Sequence, residues 1–92
     1  MILSITNLND WQYLILKPAE RYLKRIQPKN RQRIFDELDK LIIDPTQVNF
    51  KKLKGRDGYR LRVGDYRVLI RVQREERLFI VTNIGSRGDV YK

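Results

Sequence analysis

The 92-residue chain contains no cysteine and no histidine. Without cysteine there is no disulfide framework and no thiolate metal site. Without histidine the usual general base near neutral pH is missing. So are the usual zinc ligand and every Ser-His or Cys-His nucleophilic arrangement. Acidic residues are few, 11 against 20 Lys and Arg. They are also scattered: Asp36, Glu37 and Asp39 read as the wet face of a helix. No carboxylate cluster stands ready for metal-dependent hydrolysis, and neither metal nor cofactor is expected. No apolar run approaches the ~20 residues needed to span a bilayer. The opening MILSITNL lacks the basic n-region and small-residue cleavage site of a signal peptide. A cytoplasmic location with no membrane partner is therefore expected.

What the chain has in excess is positive charge, a formal +9. Such an excess speaks to partners and not to fold. Nucleic acid is the commonest polyanion a basic domain meets; an acidic protein or an anionic lipid surface is the alternative. The length suits one domain over residues 1–92 with one core. Residues 1–9 have no clear place in it: as an N-terminal extension they read equally as an extra strand, a disordered arm or a product of start-site choice.

The order of elements predicts an α+β fold. WQYLIL, residues 11–16, reads as a first strand. Pro18 suits the first turn of a helix, and Ala19, Tyr22, Leu23 and Ile26 follow as one apolar stripe. Pro28 opens a second helix with Ile34, Phe35, Leu38, Leu41 and Ile42 as its stripe. Asp44-Pro45 ends it, because a residue before proline is pushed out of the α region. Two apolar stripes need a sheet to cover them. Tyr59 to Val63 and Tyr66 to Val72 alternate as strands about a Gly64-Asp65 turn. Glu75-Glu76 turns the chain again. LFIVTNI, residues 78–84, reads as a central strand, and Asp89-Val90-Tyr91 as a short closing one.

Placing the turn at Gly64-Asp65 sets Val63 against Tyr66, Arg62 against Arg67, Leu61 against Val68 and Arg60 against Leu69. Side chains alternate between faces. Tyr59, Leu61, Val63, Tyr66, Val68 and Ile70 then cover the helices, and Arg60, Arg62, Arg67 and Arg71 share the other face. Residues 51–74 hold Lys51, Lys52, Lys54, Arg56 and Arg74 besides those four arginines, against only Asp57 and Asp65. Long basic side chains are ordinary on a solvated sheet face. Here, however, the charges are of one sign, face each other and are mostly arginine, whose planar fork suits phosphate. Gly55-Arg56-Asp57-Gly58 has the form of a KH phosphate clamp, but it leads into a strand where a KH loop joins two helices, so it reads as a turn.

One reaction is open to a site of Arg, Lys and Tyr. RNA carries its own nucleophile, the 2′-OH. An enzyme that aligns that hydroxyl and neutralises the charge growing on the phosphorus oxygens needs no metal.

Two helices followed by LKGRDGYRLRVGDYRVLIRV and IGSRGDVY closely resemble the RelE family, the small toxins of bacterial and archaeal toxin–antitoxin pairs. The likeness covers about residues 11–92, and its specific parts are the KLKG…GYRLRVGDYRV block and the GSRxxVY ending. It implies two helices packed on a mostly antiparallel sheet of four or five strands. It also implies an endoribonuclease that cuts mRNA in the ribosomal A site, with a cognate antitoxin as partner. The family's basic positions fall on Lys54, Arg60, Arg62, Arg67 and Arg87, and its C-terminal tyrosine on Tyr91. By that resemblance Arg62, Arg67, Arg87 and Tyr91 are catalytic. Arg67 holds the scissile phosphate, Arg87 stabilises or protonates the leaving group, and Tyr91 stacks on or orients the base. Lys51, Lys52, Lys54, Arg56, Arg60 and Arg71 bind RNA phosphates around them.

The chain departs from the family where lysine is the best-studied residue, at Arg60 and Arg62. Arginine stays protonated in proteins and is a poor base. The 2′-OH proton then goes to Lys52, Lys54 or solvent, or charge stabilisation and ribosomal RNA carry more of the reaction. Two alternatives remain: a ParE-like inhibitor of DNA gyrase, which shares the YRLRVGDYRV block, and a plain basic RNA-binding domain. The full basic set with Arg87 and Tyr91 favours the nuclease.

Overall fold

The structure, a computed structural model, describes residues 2–3 and 11–86. In chain order it runs β1 (Ile2–Leu3), β2 (Gln12–Ile15), α1 (Lys17–Arg25), α2 (Pro28–Ile43), a 3-10 turn (Pro45–Gln47), β3 (Phe50–Lys52), β4 (Tyr59–Val63), β5 (Tyr66–Gln73) and β6 (Leu78–Ser86). The sheet order is β1-β2-β6-β5-β4-β3. Only β2 and β6 run parallel, and every other pair is antiparallel. This is the expected α+β arrangement: two helices on a five-stranded, mostly antiparallel sheet, to which the two-residue β1 adds an edge. The strand expected at 89–91 lies outside the described residues. Among those residues, no helix is long and apolar enough to cross a membrane.

The helices form where their stripes meet the sheet. Ala19 and Leu23 of α1, and Ile34, Leu38, Leu41 and Ile42 of α2, are buried against Tyr13, Ile15, Leu61, Val63, Val68, Ile70, Phe79 and Val81. Neither helix has a side-chain N-cap; Pro18 and Pro28 instead supply the preset φ of a first turn. Arg31 of α2 closes the other end of α1. Its Nε donates to the Leu23 carbonyl at 2.8 Å and a terminal nitrogen donates to Ile26 at 3.2 Å. Two carbonyls that α1 leaves without helical partners are thereby satisfied. Asp44 ends α2: its N–H donates to the Lys40 carbonyl, and its carboxylate accepts from the Thr46 N–H and hydroxyl. The Thr46 hydroxyl is the main reason the Asp44 carboxyl is held below its usual range.

The core continues past the helices as an aromatic row. Trp11 lies 4.7 Å from Phe79 between ring centres, Phe50 stacks on Tyr59 at 4.8 Å, and Phe50 meets Phe79 edge-on at 5.7 Å. Strand β3, which carries Phe50, is too short to show a period in sequence; its pairing with β4 and this stacking hold it in place.

Two outcomes follow. Leu61 is fully buried between the two outward arginines of β4. Leu61→Ala should cost ~2–5 kcal/mol, and since a small domain has only ~5–15 kcal/mol in total, thermal melting should show a drop of at least 10 °C. The second concerns alkali. Tyr13 donates from its hydroxyl to Asp39 at 3.2 Å, and burial, then the Asp39 charge, raises its pKa. That contribution is complete below the phenol's ordinary value near ~10 and fades as pH rises above it. Wild type should therefore lose stability above about pH 10 more steeply than Tyr13→Phe, as read by urea titration at stepped pH.

Candidate nucleic-acid interface

Strand pairing puts Arg62 opposite Arg67 and Arg60 opposite Leu69. This is the register expected from a Gly64-Asp65 turn, and Gly64 takes the positive φ of 58° that the turn needs. On the helix side, Leu61 and Val63 of β4 and Val68 and Ile70 of β5 are all buried. The outer side carries Arg60, Arg62, Arg67 and Arg71. Opposed Cβ atoms in such a pair lie ~4.5–5.5 Å apart. Arg62 and Arg67 are therefore close enough for one anion to touch both.

Two rows cross this outer face. Arg62, Arg67 and Gly85 form one, and Gly85 carries no side chain beside Arg67. Lys51, Arg60, Leu69 and Asn83 form the other. Arg71 stands two positions along β5 from Leu69. Among the described residues no ion pair or hydrogen bond neutralises Arg60, Arg62, Arg67 or Arg71; the ion pairs Lys24–Glu20 and Lys40–Glu37 sit on the helices. A face of uncompensated like charges has no structural value of its own.

The remaining basic residues divide. Lys51 belongs to the outer face. Lys52 pairs with Tyr59, whose ring stacks on Phe50 over the helix side. Alternation thus sets Lys52 on the side away from the arginines. Lys54 and Arg56 are exposed in the 53–58 turn, which is a connection between two strands and not a KH clamp. Arg87 and Tyr91 lie outside the described residues, beyond the end of β6.

Sequence reading missed two features here. One is β3, which extends the basic face to Lys51. The other is a bulge in β6. Leu69 pairs with Asn83 while Ile70 pairs with Val81, so Thr82 is an extra residue without a partner. The polar TN pair interrupting the apolar run LFIVTNI is its one sequence signal.

The concavities fall on both sides of the sheet. A groove of about 340 Å³ lined by Trp11, Ile43, Phe50, Val72 and Phe79 opens on the helix side. It is apolar, and Arg74, which donates to the Tyr59 hydroxyl, is its one cation. A recess of about 390 Å³ opens on the arginine side, between the 53–58 turn and the bulge.

Comparison with known proteins agrees with this architecture. Residues 13–91 match the family described as the ParE toxin of type II toxin-antitoxin system, parDE. A protein of Methanocaldococcus jannaschii described as putative toxin RelE1 is 32% identical over 82 residues, covering 85% of this chain and 91% of that one. The archaeal RelE–RelB complex of Pyrococcus horikoshii superposes with a TM-score of 0.73 at 26% identity, over 86% of this chain and 97% of its counterpart. The isolated Escherichia coli RelE toxin shares the fold with a TM-score of 0.68 at 21% identity, over 86% and 88% of the two chains. With a family match that spans most of its length and a relative this similar, the chain belongs to the RelE/ParE family of type II toxin–antitoxin toxins.

Proposed function

We propose that this toxin is a metal-independent endoribonuclease that cuts mRNA in the ribosomal A site. The observation that carries the reading is the Arg62–Arg67 pairing, with no ion pair to either arginine among the described residues. The 2′-oxygen of the substrate attacks phosphorus in line, the bond to the 5′-oxygen breaks, and a 2′,3′-cyclic phosphate and a 5′-hydroxyl result. Negative charge grows on the non-bridging oxygens as the new bond forms. Arg67, with Arg62 opposite, neutralises that charge where it develops, which is the larger part of what a preorganised site supplies. Arg60, Lys51 and Arg71 hold flanking phosphates. By the family resemblance Arg87 donates a hydrogen bond that stabilises the charge on the leaving 5′-oxygen, which takes its proton from solvent, and Tyr91 orients the base.

The proton of the 2′-OH needs an acceptor that arginine does not provide. Lys52 is turned to the far side of β3, so among the lysines Lys54, exposed in the adjoining turn, is the better placed; solvent or ribosomal RNA is the other route.

The partner is a cognate antitoxin. Several solved relatives of the same fold are complexes of RelE with RelB. An antitoxin segment with acidic and apolar residues would cover the basic face and dock along β3, the edge strand of the sheet.

The ParE description of the matching family favours a second reading, inhibition of DNA gyrase without nuclease chemistry. One experiment separates the two. Purified toxin is added to mRNA-programmed ribosomes and cleavage is mapped by primer extension, beside a gyrase supercoiling assay. Wild type should cut, and Arg67→Ala should cut roughly 10²–10³-fold more slowly. Because the pair is repulsive, Arg67→Ala should melt at or above the wild-type temperature. Gyrase-dependent DNA breaks with intact mRNA would replace this reading by the second.

A further inference from the structure

The recess beside the arginines has a composition that phosphate binding does not require. We propose that it is a nucleobase pocket: Leu69 and Leu53 form its apolar floor, and Asn83 with Thr82 reads the polar edge of one RNA base. This rests on the reading of the outer face as an RNA-binding surface and adds to it a source of sequence preference.

Three observations converge. Leu69 lies on the outer, charged side of β5 between Arg67 and Arg71, yet it is only 7% exposed and stands apart from the core cluster under the helices. Its side chain is among those lining the recess, with Leu53, and offers a phosphate no donor. The bulge then places two hydrogen-bonding residues, Thr82 and Asn83, consecutively on the recess wall, where regular alternation would send one of them to the other face. The Thr82 hydroxyl donates to the Leu69 carbonyl at 3.4 Å, so its oxygen lone pairs remain to accept. Asn83 is exposed and offers an amide donor beside a carbonyl acceptor, the pattern that matches the paired donor and acceptor on a base edge. Third, the recess is roofed at one end by the 53–58 turn. Gly58, at φ 104°, lets that turn approach β5 so closely that a Cβ would sit 3.2 Å from the Ile70 carbonyl oxygen.

The volume of about 390 Å³ is at the low end for a small-molecule site, and enough for one nucleoside. Its position fits a single strand. Asn83 and Leu69 share a row with Arg60, one row along from the Arg62–Arg67 pair. A phosphate on that pair therefore places an adjoining base over Leu69. Arg71 on the far side holds the next phosphate.

The test is binding, which does not depend on turnover. Amide NMR of the toxin is titrated with trinucleotide RNAs that differ only at the central base, and with one that is abasic there. Signals of Leu69, Thr82 and the Asn83 side-chain amide should shift. Affinity should differ by about tenfold or more between the best and worst base. Asn83→Ala, at an exposed position, should erase that difference and leave the abasic affinity unchanged. Arg67→Ala should weaken every oligonucleotide alike. Equal affinities for all bases, with shifts confined to the arginines, would overturn the pocket and leave the nuclease reading standing. Base-dependent binding lost in Asn83→Ala, with no cleavage on ribosomes, would uphold the pocket and remove the nuclease.

Discussion

The two-residue turn at Gly64-Asp65 decides which side of β4 and β5 meets water. Side chains alternate along a strand, so slipping this hairpin by one residue would turn Leu61 and Val63 outward and drive Arg60 and Arg62 into the core. Gly64 accepts the left-handed φ the turn demands, and Arg33 of α2 lies against it, 2.8 Å from where a Cβ would stand. From this one register follow the sealed core beneath the sheet, the row of cations above it, and the opposition of Arg62 to Arg67.

Magnitudes explain why the chain tolerates that opposition. A like-charge pair directly across two strands costs up to ~1 kcal/mol. Each fully buried Leu, Ile or Val beneath it contributes ~1.5–3 kcal/mol, and Leu61, Val68, Ile70 and Val81 are all sealed beneath the three adjacent strands β4, β5 and β6. The hydrophobic side fixes the hairpin and the charges follow it. Repulsion on the outer side is the cost of that register, and under the proposed function it is relieved when a phosphate lies over the pair. This is preorganisation in its simplest form, since the reorganisation is done during folding.

Periodicity made most of this legible in sequence. Stripes at three and four residues gave both helices, and alternation gave β4, β5 and the face of every arginine on them. Local pattern could not show what depends on distant partners. Strand β3 has three residues and no readable period; Phe50 holds it by stacking on Tyr59, nine positions on. The parallel pairing of β2 with β6 joins segments more than 60 residues apart. Lys51 and Lys52, neighbours in a basic run, go to opposite faces only because β3 pairs with β4. The extra residue at Thr82 shows only when β6 is laid against β5.

The arginines at positions 60 and 62 bear on how labour is divided over this surface. Lysine there could both bind phosphate and exchange a proton; arginine can do only the first, but does it with a planar fork that grips two oxygens at once. A site built this way gains charge and geometry and gives up its resident base. Under the proposed function, proton removal passes to a group outside the strand pair, and the rate becomes sensitive to how the RNA is held while that group acts. A strand gripped only by its phosphates can slide along a basic face. A base seated in the proposed pocket would stop the sliding and fix which linkage lies over Arg67. On this reading the recess at Leu69 and Asn83 and the arginine pair are parts of one device, because a catalyst that works by charge alone depends the more on position.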